Sequence, residues 1–429
     1  MSGGGLWLLE NFGPAEGLGG GYWIVWLCAS RLAVSISFMM YAGSLPRLTN
    51  VWHMTAAEAG LIQSAFNVSY AVSLVATGWL SDRLGARRVF LWSTWLTAGA
   101  GLLVATAAHS FESGLLLFAL FGSFHGGTYT PPMMLIAQRV TPLRRGLAIG
   151  LFLSGASLGY AGSIALSSTL SSTISYRAAF LLCGMAPTVA ALAAWVGTRG
   201  IPSVASGRRA PVSVRAQPES RWASTLLTFG YTAHCWELLG MWAWMPAFLV
   251  SSLAASTGAG ALMQGIWIGI AIHISGCISA FTMGHASDRI GRRAVLVALA
   301  LVGATCSLSI GWFSQASPGL VLLFAAVYGF SALGDSPVLS TAITEAVEPH
   351  VLGTALAIRS ILGFGAGGLA PLAFGAARDL VPAGYGWIAG FSCLGAGGLL
   401  AAVFAFALPR NRSQGQRVAA VSPLEVDGR

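Results

Sequence analysis

The sequence predicts an all-α integral membrane protein, with twelve transmembrane helices forming two pseudo-symmetric six-helix bundles. Three observations predict it. The composition is too poor in charge for a water-facing surface, apolar runs of membrane-spanning length follow one another along the chain, and one segment recurs 206 residues later.

Of the 429 residues, 55% are hydrophobic and only 9% charged, and the mean hydropathy is +0.72. Globular proteins carry roughly 25% charged residues, so the usual solvated surface is missing and lipid is the expected surrounding. The 55 glycines and 17 prolines agree with this, because both are commoner in membrane helices than in soluble ones. A formal charge of +9 raises the question of nucleic acid. All 23 basic residues are arginines, however, and they gather in short turns between apolar runs, so they report topology and no nucleic-acid partner is expected. Six cysteines (Cys28, Cys183, Cys235, Cys277, Cys306, Cys393) lie inside apolar runs without CxxC spacing, which favours buried packing over disulfides or zinc. The first twenty residues lack a basic start and carry Glu10 and Glu16, so no cleavable signal peptide is expected.

A span needs about 20 mostly apolar residues. Runs of that kind fall at 22–45, 57–80, 88–108, 113–137, 146–170 and 177–198. A second set falls at 222–250, 260–283, 294–314, 318–343, 353–376 and 384–408. The expected organisation is therefore a tail over 1–21, a six-helix bundle over 22–198, a cytoplasmic linker over 199–221, a second bundle over 222–408 and a tail over 409–429. With both termini cytoplasmic, eighteen arginines lie on the cytoplasmic side and three (Arg47, Arg177, Arg378) on the other, the asymmetry that the positive-inside rule describes. The turn near Glu345–His350 has no arginine and is the exception.

The repeat carries the sharpest information. Gly78-Trp-Leu-Ser-Asp82-Arg83-Leu-Gly85-Ala-Arg87-Arg88 follows the second run, and Gly284-His-Ala-Ser-Asp288-Arg289-Ile-Gly291-Arg292-Arg293 follows the eighth. Gly122, Gly127, Pro142, Gly146 and Ala148 likewise match Gly329, Gly334, Pro349, Gly353 and Ala355 at an offset of 207. Two halves repeating in parallel sense characterise one large class of membrane architectures.

These G-x-x-x-D-R-x-G-x-R segments resemble the signature turn of the major facilitator superfamily, present here in both halves. The resemblance implies a secondary transporter working by alternating access, in a bacterial inner membrane, as a monomer. In that family the turn is a conformational latch. By resemblance, Asp82 and Asp288 meet helix ends and arginines of the facing half in the outward-open state, with Gly78, Arg83, Gly85, Arg87, Gly284, Arg289, Gly291 and Arg293 completing the two turns. The plainer reading is that the turns only orient the chain and cap helices, but orientation alone does not need aspartate and glycine at fixed spacing. Arg144-Arg145-Gly146-Leu-Ala148-Ile-Gly150, with Ser154, Gly155 and Gly159, is loosely similar to the start of the fifth span in organic-anion porters. Gly155-x-x-x-Gly159 lacks the following proline of the superfamily's antiporter motif.

Ionisable residues inside spans cost at least about 2.5–3.5 kcal/mol each on insertion scales, so each asks for a reason. Arg31, nine residues into the first span, is a candidate carboxylate ligand, since by resemblance spans one, four, seven and ten line the cavity. It is similar to the first-span arginine of anion:cation symporters, though Ser30 stands where those carry aspartate. Arg359, in the eleventh span, is the second candidate. Either arginine can instead pair inside the bundle or reach toward an interface. Asp335, midway along the tenth span with Thr128 as its counterpart, suits a proton carrier, because low dielectric favours the neutral acid. The alternative is a fixed salt bridge to Arg31 or Arg359. His234 and Glu237, three apart on the seventh span, share a helix face and are further coupling candidates. His125 and His273 are expected as packing residues, and no metal site is expected. Most of the tryptophans and other aromatics are expected in interface belts and helix packing, with no stacking platform.

The favoured function is proton-coupled transport of a small organic anion such as a carboxylate. A proton-driven exporter of drugs or metabolites, using Asp335 and Glu237 as cation partners, is the alternative on the same fold. A non-transporting membrane sensor is the alternative of another class. No Walker A loop and no nucleophile–base motif is present, so no enzyme activity and no cofactor are expected.

Overall fold

In the computed structural model, which describes residues 22–203, 218–254, 260–347 and 352–409, every regular element is helical. A chain crossing hydrocarbon has no water to bond its amides, so each segment must satisfy them internally. The first set comprises α1 (Tyr22–Val51), α2 (Ala56–Leu84), α3 (Ala86–Ala107), α4 in two pieces (Phe111–His125 and Thr130–Arg139), α5 (Pro142–Thr173) and α6 (Tyr176–Gly197). The second comprises α7 (Pro218–Ala254), α8 (Ala261–Ile290), α9 (Arg292–Phe313), α10 (Pro318–Ala346), α11 (Leu352–Asp379) and α12 (Gly386–Ala407). Ten of the twelve are helices long and apolar enough to cross a membrane; α4, broken at mid-depth, and α7 are the other two. The expected tails and most of the expected linker lie outside the described residues.

Large apolar side chains cover the outside of the bundle as well as its core. Val72, Leu116, Phe281, Leu323, Val403 and Phe406 face outward, whereas serines, threonines and glycines line many of the helix contacts. Lipid tails are as apolar as leucine, so helices associate through close backbone approach and interhelical hydrogen bonds. Gly101 and Gly184 face each other between α3 and α6, and Gly155 and Gly159 sit on α1 carbonyls. Ser30 Oγ donates to the Ala190 carbonyl at 2.9 Å, and Ser171 Oγ to Ser44 Oγ at 2.8 Å.

The two sets meet along two seams, α2 with α11 and α5 with α8. Glycine permits the contact on both. Gly60 lies on the backbone of Pro371 and Leu372, Gly375 on Ala56, and Gly265 and Gly269 on Ala165 and Ala161. All of these are at the end away from the repeated turns. Thr55 caps α2 there: Glu58 N–H donates to Thr55 Oγ1 at 3.1 Å, and Thr55 N–H donates back to Glu58 Oε2 at 2.8 Å.

Three spans break near the middle. The helix of α1 loosens over residues 37–39, α4 tightens into a 3₁₀ turn at Gly126–Thr128 before Pro131 and Pro132, and α8 widens into a π turn at Ile270–Ile274. Such breaks are tolerated at membrane depth only where protein or a cavity covers the freed groups.

The repeated turns show why their last glycine recurs. Gly85 ends α2 at φ +87° and Gly291 ends α8 at φ +92°, and their N–H groups donate to the Ser81 and Ser287 carbonyls at 2.9 and 3.1 Å. A side chain at positive φ is strained, by roughly 1–2 kcal/mol. A Cβ at Gly291 would meet nothing within 4 Å, so the backbone angle alone demands glycine there, whereas a Cβ at Gly284 would be free as well and that residue is helical. Gly291→Ala is therefore expected to cost roughly 1–2 kcal/mol, whereas Gly284→Ala is neutral or stabilising by up to about 1 kcal/mol; thermal unfolding of the two purified variants checks the contrast.

Candidate functional site at the interface of the two halves

Arg31 is the most isolated charge in the first half. It is 4% exposed, and one guanidinium nitrogen donates to the Tyr160 hydroxyl at 3.1 Å, while Nε and Nη1 have no hydrogen-bond partner among the described residues. The faces of Tyr129 and Phe152 lie 5.1 and 5.6 Å from its Cζ, and Tyr70 is also beside it. Cation–π contacts offset part of the desolvation, but they leave two donors unmatched.

Arg359, 9% exposed on α11, lies over the Tyr231 ring at 4.1 Å and donates to Ser340 Oγ at 3.2 Å, with its Nε also unmatched. The alternative reading of Asp335, a fixed bridge to Arg31 or Arg359, is not seen among the described residues. Asp335 instead faces His234. Nδ1 of His234 approaches Oδ1 to 3.0 Å outside hydrogen-bond geometry, so the contact is electrostatic, and Nε2 lies 2.9 Å from Ser336 Oγ.

Glu237 is separated from this pair although it lies one turn from His234. Its Oε1 accepts from Ser307 Oγ at 2.6 Å, Ser307 also bonds the Tyr328 hydroxyl, and Oε2 rests where a Cβ on Gly398 would fall. The carboxylate is thus held inside the second half, against α9, α10 and α12.

Between the arginines runs a layer of packed rings. Phe38, at the break in α1, contacts Phe66, Tyr70, His125, Tyr160 and Trp242 with centroids 5.0–6.5 Å apart. Tyr160 touches Trp242 and His273 of the other half at 5.5 and 5.4 Å. Tyr70, Phe364 and Tyr231 then lead toward Arg359 in steps of 6.1 and 6.4 Å. His125 and His273 are fully buried among these rings, and neither has a hydrogen-bond partner among the described residues. One sequence signal was available: a mid-span tyrosine carries a hydroxyl that lipid cannot satisfy.

The residues of the two repeated turns lie at the opposite end, and the contacts they make are within their own half. Arg87 donates to the Thr198 carbonyl at 2.7 Å, Arg83 lies over Trp79, and Arg293 donates to the Phe406 carbonyl at 2.7 Å. Arg292 pairs with Asp288 and with Glu345. Asp82 and Arg289 are exposed, and Gly78 approaches Thr130 of its own half.

The sequence reading missed the contact that joins the halves. The Asp379 carboxylate, at the end of α11, accepts from the first two amides of α2, Ala56 N–H at 3.0 Å and Ala57 N–H at 2.7 Å. A carboxylate suits a helix N-terminus, where orphan donors and the helix dipole both favour it. Leu372 N–H to Ser64 Oγ at 3.1 Å and Thr169 Oγ1 to the Ala261 carbonyl at 3.3 Å continue the closure. Among the described residues, the hydrogen bonds that cross between the halves all lie on this side.

A many-span helical protein in two halves, gripped at one end around a buried cationic centre, has the construction of a membrane transporter of small molecules. The comparisons with known proteins agree. A family model for the Major Facilitator Superfamily matches residues 27–371, and the chain belongs to that superfamily. A probable 4-methylmuconolactone transporter of Cupriavidus pinatubonensis is 28% identical over 358 residues, covering 79% of this chain and 81% of that one. A probable chloroplastic anion transporter of Arabidopsis thaliana is 25% identical over 290 residues, covering 61% and 53%. Among solved structures, a peptide transporter in complex with sulfate superposes with a TM-score of 0.74 at 14% identity, over 94% of this chain and 97% of that one. The protein is a multi-pass transporter and not an enzyme.

Charged hydrogen bonds contribute roughly 1.5–3 kcal/mol each. Asp379→Ala is therefore expected to speed amide exchange over residues 56–60 by at least about tenfold, with exchange in α9 unchanged, as hydrogen–deuterium exchange read by mass spectrometry checks.

Proposed function

We propose that this protein is a proton-coupled carrier of a small organic anion, with the substrate carboxylate taken by Arg31. The observation that carries the reading is a guanidinium buried in the spans with two unmatched nitrogens and, among the described residues, no ion-pair partner. A carboxylate supplies the acceptor that the guanidinium lacks, and the planar fork donates paired hydrogen bonds to it. The relatives named for 4-methylmuconolactone and for an anion support the same class of cargo. Arg359 serves the second half of the site. The contact of Asp335 with His234 makes this pair the candidate proton carrier, since a carboxylate and an imidazole in low dielectric readily exchange one proton. Glu237, tied to Ser307 in the same half, is the further coupling candidate.

The chain sits in a bacterial inner membrane as a monomer, with both termini and the arginine-rich turns in the cytoplasm. The closed end is then outward and the two halves, 22–198 and 222–408, rock about the central layer. On the return swing, the turns around Asp82 and Asp288 close the cytoplasmic side and the Asp379 contact opens.

The test is ligand-induced thermal stabilisation of the purified chain, followed by uptake in proteoliposomes. A ligand that binds only the folded state at 100 times its Kd stabilises by about 2.7 kcal/mol. A carboxylate is expected to raise the melting temperature, Arg31→Ala to abolish the shift, and Arg31→Lys to weaken binding about tenfold or more. Stabilisation by lipophilic cations, or a carboxylate shift that survives Arg31→Ala, overturns the anion reading in favour of export or another site. For the coupling step, Asp335→Asn is expected to lose proton-driven accumulation while retaining substrate exchange across the membrane; uptake with and without a pH gradient reads the two separately.

A further inference from the structure

The charge and the walls around Arg31 say more about the cargo than its sign. Resting on the organic-anion reading, we infer that the cargo is a monocarboxylate carried on a planar unsaturated ring.

Two independent observations lead there. The first is the charge balance. The buried charged side chains among the described residues are Arg31, Arg359, Asp335 and Glu237, with His234 beside Asp335. Both acids belong to the second half, where Arg359 also sits. The acids of the first half among the described residues, Glu58, Asp82 and Glu112, stand at helix ends. Arg31 is the one buried cation without an acid in its own bundle. One carboxylate neutralises it, whereas a second would have to be desolvated against a half that already holds two acids.

The second is the wall. The groups nearest the guanidinium are rings: Tyr129, Phe152, Tyr160 and Tyr70. Phe38 joins Tyr70 and Tyr160 at 5.6 and 5.0 Å, tilted by 81° and 46°. These are edge-to-face and tilted contacts, the geometry in which the positive edge of one ring meets the negative face of the next. A bound planar ring extends that pattern, with its carboxylate on Nε and the adjacent Nη2 of Arg31 and its edges and faces among Phe38, Tyr129 and Tyr160. A puckered saturated ring of the same size offers no matching quadrupole. The Tyr160 hydroxyl, which now takes one Arg31 donor, is the protein group that the carboxylate displaces.

The experiment compares benzoate, cyclohexanecarboxylate and phthalate by isothermal titration of the full chain in detergent. Benzoate is expected to bind about five-fold or more tighter than cyclohexanecarboxylate, an increment within the range of aromatic pairing, and phthalate more weakly than benzoate. The benzoate preference should shrink toward unity in Tyr129→Leu. Phe152→Leu is the second variant, should the first fail to fold. Equal affinity for the two monocarboxylates, each lost in Arg31→Ala, overturns the ring inference while the anion reading stands. A preference that persists unchanged in Arg31→Ala places the rings elsewhere and also overturns it. Stronger binding of phthalate removes the monocarboxylate part. No binding by any of the three, alongside stabilisation by lipophilic cations, brings down the anion reading and the inference together.

Discussion

A peptide bond crossing hydrocarbon must find its hydrogen-bond partner inside the protein, and an ionised side chain there must find its counter-charge. The first requirement accounts for the twelve helical segments and for the glycine-lined contacts between them. It also accounts for where irregular backbone is allowed. The loosened turn at 37–39, the 3₁₀ turn of α4 and the π turn of α8 each bring a ring (Phe38, His125 or Tyr129, His273) to the central layer. For Asp335 the partner is His234, and Glu237 accepts a hydrogen bond from Ser307. The second requirement is left unmet at Arg31, the one buried arginine whose half holds no buried acid among the described residues, and there a ligand can supply the counter-charge.

The seams between the halves work by the same physics. Helices α2 and α11 run antiparallel, so the C-terminal end of α11 lies by the N-terminal end of α2. Asp379, ending α11, uses this to accept two amides at the start of α2. Asp82 occupies the corresponding place near the end of α2. The family resemblance assigns it the mirrored task against the facing half in the opposite state. Each carboxylate then stabilises one closed end through a helix terminus, at a cost to the other only through the rigid-body movement of the halves. Closure at either end is a matter of roughly a few charged hydrogen bonds, small enough for one bound anion to shift the balance.

Much of this was legible in the sequence, and the illegible part has physical reasons. Span number, the two halves and the glycine of each turn follow from apolar length and a fixed offset, and the structure adds positive φ at Gly85 and Gly291 as the reason the glycines recur. Arg31 and Asp335 were singled out because a charge inside a span is rare by cost. Their partners were not legible: spacing puts His234 and Glu237 on one helix face, but one turns to α10 and the other to α9. The ring layer escaped because an aromatic in a span reads the same whether it faces lipid or a ligand. Asp379 escaped because its partners are backbone amides 323 and 322 positions away, which carry no sequence signal.

The unmatched guanidinium also bears on how binding drives movement under the proposed reading. An empty site carries a net positive charge among rings, and moving the halves around it exposes that charge to new surroundings at an electrostatic cost. A bound carboxylate neutralises it, so the loaded site moves with less penalty than the empty one. Binding also frees the Tyr160 hydroxyl, whose ring packs against Trp242 and His273 across the seam. Occupancy at Arg31 is thereby felt at a contact between the halves without any change along the chain from α1. A ligand shifts an equilibrium only through what it does differently in the two states; here that difference is one hydrogen bond to Tyr160 and one uncompensated charge.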